Sequence, residues 1–99
     1  MFMVREILNC KPGKVGQLAQ KFKDLGAVME DMQLAPFRIY TDLSGEHFWT
    51  LVLEREYESL DDIPSIESRV MGDERARSVM AGYHELVERG RREIYRVEA

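Results

Sequence analysis

Apolar and polar residues recur with two different periods along the chain, and together they predict the element order βαββαβ. Phe2 to Leu8 is rich in residues that favour strands, and Lys11-Pro12-Gly13 follows it as a turn. In the next segment apolar residues recur at alternating spacings of three and four, which predicts a continuous stripe along an amphipathic helix. The stripe consists of Val15, Leu18, Phe22, Leu25, Met29 and Met32.

The middle of the chain predicts two strands. Phe37 to Asp42 and His47 to Tyr57 contain many β-branched and aromatic residues. The segment between them, Leu43-Ser44-Gly45-Glu46, has the length and composition of a hairpin loop. We therefore expect the two strands to pair antiparallel.

The last third of the chain predicts helical structure followed by a closing strand. Pro64 interrupts the pattern, so we expect a short irregular turn or helix near Asp62 to Met71, ended by Gly72. Asp73 is a good N-terminal cap for a second main helix, and Gly90 is placed to end it. The inward face of this helix would carry Ala76, Val79, Met80, Tyr83, Leu86 and Val87, and residues 92–97 would form the last strand.

Four strands joined by two crossover helices predict a single α+β domain over residues 1–99. The expected architecture is ferredoxin-like, a four-stranded antiparallel sheet with its helices on one face. A sheet whose other face met water should alternate apolar and polar residues, yet the third strand carries Leu51 and Leu53 on one face and Phe48 and Val52 on the other. Because two helices cover only one face, we expect a second copy to cover the other, which makes the chain a homodimer.

Charge and apolar run length exclude some classes of function. Fourteen Lys and Arg against eighteen Asp and Glu give a formal net charge of −4, which disfavours a nucleic-acid surface. The dense cluster Arg89, Arg91 and Arg92 falls where the second helix should end, so we expect it to complement the helix dipole. Without a membrane-spanning run or a signal-peptide pattern, and with the single Cys10 unable to form an internal disulfide, we expect a cytoplasmic protein.

The second strand supplies the first candidate ligand-binding residues. A period of two places Arg38, Tyr40 and Asp42 on one side of this strand, opposite Phe37 and Ile39, which should face the core. Arg38, Tyr40 and Asp42 are therefore candidates for a pocket on the open face of the sheet. Each also has a structural interpretation, since strand charges usually form ion pairs and tyrosine is a common strand residue.

Three further candidates come from the neighbouring strands. Trp49 would line an apolar pocket or stack on a flat ring, or else pack in the core or the dimer. Glu6 and Arg92 would join the site if their strand registers bring them to the same face, which the sequence leaves open. An ion pair of Arg38 with Glu6 or Glu54 is the competing structural explanation.

Residues for acid, base or metal chemistry are sparse. His47 and His84 have no convincing partner in the sequence, and the spacing of His, Cys and carboxylate residues does not indicate a metal site. Cys10 is best explained as a small buried residue. We therefore expect neither a metal nor a cofactor.

Several segments together resemble the dimeric α/β-barrel superfamily and, within it, the NIPSNAP-like group. They are Lys11-Pro12-Gly13-Lys14, the third strand Phe48-Trp49-Thr50-Leu51-Val52-Leu53-Glu54 leading into Tyr57-Glu58-Ser59-Leu60, and the helical region Arg69 to Glu85. The resemblance implies two ferredoxin-like chains facing each other across their sheets. Members of the superfamily include cofactor-independent oxygenases, haem-handling enzymes, isomerases and proteins without known activity, so the fold alone does not decide the function.

These observations favour a small dimeric α/β-barrel protein that binds or transforms an apolar or aromatic metabolite in a pocket on the open sheet face. Whether it is an enzyme stays open. The alternative is a dimeric binding or structural module without catalysis. A regulatory amino-acid-binding domain of the ACT type is disfavoured, because Met29 and Met32 continue the first helix beyond Gly26, where that family turns into its second strand.

Overall fold

The computed structural model describes residues 1–99, and its element order confirms the predicted ferredoxin-like fold. Three short helices occupy the place of the second crossover helix. The elements are β1 (Phe2–Cys10), α1 (Val15–Asp31), β2 (Arg38–Thr41), β3 (Thr50–Tyr57), α2 (Asp62–Met71), α3 (Glu74–Met80), α4 (Tyr83–Leu86) and β4 (Val87–Arg96). No helix combines the length and the apolar composition that crossing a membrane requires.

The four strands form one antiparallel sheet in the order β2-β3-β1-β4. Alternate residues of β1 divide between two faces. The inner face, which the helices cover, carries Val4, Glu6, Leu8 and Cys10, whereas the open face carries Arg5 and its alternate neighbours. The registers place Glu6 opposite both Leu53 of β3 and Arg92 of β4.

The predicted apolar stripe of α1 forms the centre of the core. Leu18, Phe22, Leu25 and Met29 are buried, and Leu18 packs in the same cluster as the fully buried Leu51 of β3. Phe37 and Ile39 also pack against this cluster, which confirms their predicted inward orientation. Burial of one face of a long helix against the sheet is the main apolar contribution to folding.

The predicted hairpin loop is longer in the structure, because β3 begins at Thr50 rather than at His47. Trp49 has a φ of +60°, a left-handed conformation that cannot continue a strand. The loop is closed by the Thr50 amide, which donates to Asp42 Oδ1 at 2.8 Å, and by the Cys10 amide, which donates to the Trp49 carbonyl at 2.8 Å. The aromatic residues that suggested a strand therefore lie in the connection.

Of the two predicted possibilities for Asp62 to Met71, a short irregular turn or a helix, the structure has the helix, α2. Pro64 is the third residue of α2, within the first turn, where backbone N–H groups have no acceptor inside the helix. A proline there removes no helical hydrogen bond, so the helix is regular. Gly72 ends the helix, as predicted.

The second main helix does not run to Gly90. It ends at Met80, and Gly82 adopts a φ of +84°, which interrupts the helical path before the single turn of α4. Asp73 caps α3 as predicted, since its Oδ1 accepts from the Arg75 amide at 2.8 Å and the Ala76 amide at 3.4 Å.

The basic cluster is consequently part of the sheet. β4 starts at Val87, so Arg89, Arg91 and Arg92 lie on a strand and not at the carboxyl end of a helix, and the predicted dipole interaction was wrong. Gly90 lies opposite Leu8 in the register and does not end a helix. This segment forms a strand because it pairs with β1, although its local apolar spacing favours a helix.

Candidate functional site

The inner face of the sheet and the helices line a cleft of about 400 Å³ that is partly open to solvent. We name it the inner cavity. Its lining is mainly apolar and includes Phe22, Leu25 and Met29 of α1, Leu53 of β3, and Ile66 and Val70 of α2. A volume of this size with an apolar lining is typical of sites for small molecules.

An ion-paired group of three side chains lies at the wall of the inner cavity. Arg92 Nε donates to Glu6 Oε1 at 3.0 Å, and Arg92 Nη2 lies 2.8 Å from Glu67 Oε1. Glu6 and Glu67 both line the cavity. Hydrogen bonding to Glu67 and then to Glu6 raises the pKa of Arg92 above its ordinary value. Because Arg92 joins β1, β4 and α2, it holds both carboxylates in place.

Arg55 is the second charged group of the cavity. It lies on the inner face of β3, two residues after Leu53 and two before Tyr57, and it lines the cavity. Its Nε donates to the carbonyl of Ala35 at 2.8 Å, and its guanidinium carbon lies 4.4 Å from the centroid of the Tyr57 ring. Nη1 is buried and has no hydrogen-bond partner. Such an atom is uncommon, because a buried donor without an acceptor loses its hydration without compensation.

Tyr83 and His84 of α4 complete the polar part of the wall. The Tyr83 ring packs edge-to-face on Phe22, with centroids 6.2 Å apart, and on His84, with centroids 5.2 Å apart. Burial raises the pKa of the Tyr83 hydroxyl, and the negative charge of Glu6 adds to the effect. The hydroxyl therefore stays protonated at neutral pH and is available as a hydrogen-bond donor.

The structure divides the predicted site residues between the two faces of the sheet. Glu6 lines the inner cavity, whereas Arg38 and Tyr40 belong to the open face, and Trp49 lies at the end of the loop before β3. Glu54 pairs with Arg5, whose Nε donates to it at 2.7 Å, and not with Arg38. Glu6 pairs with Arg92.

Tyr40 lines a separate groove of about 510 Å³ on the open face, next to the loop between β2 and β3. We name it the open-face groove. Its charged side chains are largely paired with one another, Arg5 with Glu54 and Arg91 with Glu93, where Arg91 Nε donates at 3.1 Å. Tyr95 Oη, outside the groove, also donates to the Glu93 carboxylate at 2.7 Å. Hydrogen bonding from Tyr95, and then from Arg91, lowers the pKa of Glu93. The open-face groove is thus lined mainly by polar residues, and the inner cavity lies on the opposite side of the sheet.

Arg55 and Glu67 are cavity residues that sequence reasoning missed, whereas Tyr83 was predicted to face inward but was not assigned to a site. A signal for Arg55 was present in β3, because a period of two places it on the same face as the apolar Leu51, Leu53 and Tyr57. A lone arginine on a core-facing series is an exception to the pattern of buried residues. Glu67 had no comparable signal, since its position depends on how α2 packs.

The side chains of the chain do not assemble a metal site, because no three His, Cys, Asp or Glu groups lie close enough together to hold an ion. Cys10 is buried, and burial raises the pKa of its thiol. Its thiol is therefore protonated at neutral pH and is a poor nucleophile.

Comparison with solved structures identifies the fold. A NIPSNAP family protein of unknown function from Agrobacterium tumefaciens superposes with a TM-score of 0.81 at 22% identity, covering 96% of this chain and 86% of that one. An uncharacterized NIPSNAP domain protein from Burkholderia xenovorans gives a TM-score of 0.82 at 18% identity, covering 100% and 96%. The chain has the fold of the NIPSNAP proteins.

The NIPSNAP fold also extends to a protein with a named activity. An antibiotic biosynthesis monooxygenase superposes with a TM-score of 0.72 at 11% identity, covering 100% of both chains. No protein-family model matches the sequence, and neither does any curated protein. The resemblance inferred from the sequence is therefore confirmed at the level of the fold, while the activity has to be argued from the site.

Proposed function

We propose that the protein binds a small, mainly apolar molecule in the inner cavity. The observation that supports the proposal is an apolar cleft of about 400 Å³ between the sheet and the helices, partly open to solvent, with a few polar groups lining it. A module with a purely structural role gains nothing from such a cleft, because apolar surface left in contact with water forgoes the free energy of burial. Binding is the first step for a carrier and for an enzyme alike, so it is the step to test.

The open-face groove is the weaker candidate for an apolar ligand. Its walls are mostly polar, and the pairs Arg5 with Glu54 and Arg91 with Glu93 already satisfy much of their charge. An apolar molecule would have to dehydrate these groups without offering hydrogen bonds in return. Tyr40 and Arg38 remain candidate ligand contacts only for a polar molecule on this face.

The proposal is tested with N-phenyl-1-naphthylamine, a neutral dye whose fluorescence rises in apolar surroundings. We expect the dye to bind the wild-type protein at one site per chain. Ile66→Trp adds bulk at the half-buried wall of the cavity and should weaken dye binding about tenfold or more. The matched control is Leu60→Trp, an exposed apolar position outside the cavity. Equal dye affinities for the two variants, or no dye binding by the wild type, would contradict the proposal. Native mass spectrometry of the purified protein would show any ligand that is already bound.

We also propose that two copies pair across their open faces, as the dimeric-barrel resemblance implies. In support, Ile7 and Val52 lie opposite each other in the register and form an apolar centre on this face. Phe48, at the nearby loop, is 87% exposed and Trp49 is 41% exposed. Large exposed apolar residues beside a mixed-charge face are typical of association surfaces.

We further propose a cytoplasmic location. Cys10 is buried and forms no disulfide, which agrees with a reducing compartment.

A further inference from the structure

We infer that the ligand of the inner cavity carries a carboxylate and that Arg55 binds it. The inference rests on the proposed function, because it names the chemical class of the molecule that occupies the same cavity. The expected ligand is therefore an amphipathic acid, with an apolar body among the core side chains and an anionic group at β3.

The donor set of Arg55 is incomplete. Of the guanidinium nitrogens, Nε is used by the Ala35 carbonyl, and the Tyr57 ring faces the cation at 4.4 Å from its centroid. Stacking on a ring stabilises the positive charge but does not accept an in-plane N–H. Nη1 is buried without an acceptor. A carboxylate at this part of the wall would supply one and would match the planar fork of the guanidinium.

The other cation at the cavity is already neutralised. Arg92 contacts Glu6 and Glu67 together, so that group carries an excess of negative charge and would repel an anion. Glu54, the acidic neighbour of Arg55 along β3, also borders the cavity, but its carboxylate pairs with Arg5 on the open face. Arg55 forms no ion pair with any carboxylate of the chain. The cavity thus has one free cation, and Coulomb attraction places the anionic end of a ligand there rather than beside Glu6.

The experiment compares two probes of nearly the same shape, 1-naphthaleneacetate and 1-naphthaleneacetamide, as competitors of N-phenyl-1-naphthylamine. The wild type should bind the carboxylate about tenfold or more tightly than the amide, since a charge-assisted hydrogen bond is stronger than a neutral one. Arg55→Met keeps an unbranched apolar stem but loses the charge. In this variant the carboxylate and the amide should bind with about equal affinity, while the affinity for the amide stays that of the wild type. The control Arg96→Met removes an exposed arginine that lines neither the inner cavity nor the open-face groove and should leave the preference unchanged.

The outcomes separate this inference from the proposed function. If the dye and the amide bind but Arg55→Met keeps the carboxylate preference, or the wild type has none, the role of Arg55 is refuted and the cavity remains a binding site. If neither the dye nor the probes bind the wild type, both proposals are refuted. Unchanged amide affinity in Arg55→Met shows that the variant has kept its fold, so a lost preference then reports on the anion alone.

Discussion

Gly90 shows how one residue adapts β4 to its neighbour. It lies opposite Leu8, and a Cβ atom added to it would lie 2.7 Å from Leu8 Cδ2, closer than real Cβ atoms approach a neighbour. Leu8 is itself buried in the core, so its side chain has little freedom to move away. The glycine therefore serves close packing between two strands, although in the sequence it suggested the end of a helix.

We predict that Gly90→Ala lowers the free energy of unfolding by about 1–3 kcal/mol, the usual cost of overpacking a core. The measurement is urea unfolding followed by circular dichroism. The control is Gly16→Ala, because Gly16 lies in α1 with open space around it and alanine is the better helix former by about 1 kcal/mol or less. Opposite signs are expected for the two variants. A Gly90→Ala protein as stable as the wild type would show that Leu8 can repack.

At the scale of the element, the N-terminus of α3 is held by Asp73. Hydrogen bonding from the Arg75 guanidinium, helped by the amides of Arg75 and Ala76, lowers the pKa of the Asp73 carboxyl. A carboxyl with a lowered pKa in the folded state stabilises the fold at pH values above its unfolded pKa of about 4. That contribution is lost as the pH falls through the lower, folded value.

We therefore predict that the gap in urea midpoint between wild type and Asp73→Asn shrinks as the pH falls from about 6 to below 4. Asparagine keeps an oxygen that caps the helix but does not titrate. All other carboxyl groups are the same in the two proteins, so their contributions to the pH dependence of stability cancel in the comparison. Asp73→Ala removes the cap as well and should be the least stable of the three at pH 6. The effect is small because Asp73 is partly exposed, so solvent screens its charge. A gap that stays constant over this pH range would mean that the carboxylate charge contributes nothing.

The elements differ in how far local pattern determined them. α1 could be predicted from its sequence because its apolar stripe agrees with its tertiary environment. The segment from Tyr83 to Arg92 could not, because the apolar spacing continued past Gly82 while pairing with β1 required a strand from Val87. Local period and long-range pairing disagreed there, and the pairing prevailed.

The same distinction applies to the candidate site. Arg38 and Tyr40 were placed on one face of β2 from a period of two, and the structure has them there. Whether Glu6 shared that face depended on a register between distant segments, which a single sequence does not encode locally. Arg55 could have been found from its apolar neighbours on β3, but its unpaired Nη1 is a property of the folded packing alone.

At the scale of the whole molecule, the fold is a slab with principal extents of 35 × 35 × 17 Å, and the open face of the sheet forms one broad side. That face is wide enough for a standard protein interface, which buries about 1,200–2,000 Å² in total. Its ion pairs mix both signs, so two copies related by a two-fold axis can match charges without a net repulsion.

We predict that the wild type sediments with twice the 11.6 kDa mass of the chain and that Val52→Arg sediments as a monomer. Val52 is half-buried near the centre of the open face, between Ile7 and Tyr40 in the register, so a second copy would bury the new charge without a partner. Leu60→Arg places the same charge at an exposed site outside the sheet and should remain a dimer. Analytical ultracentrifugation distinguishes the two masses. A monomeric wild type would exclude pairing across the open face. A dimeric Val52→Arg would place the interface elsewhere, because burying an unpaired arginine at the centre of an interface costs several kcal/mol.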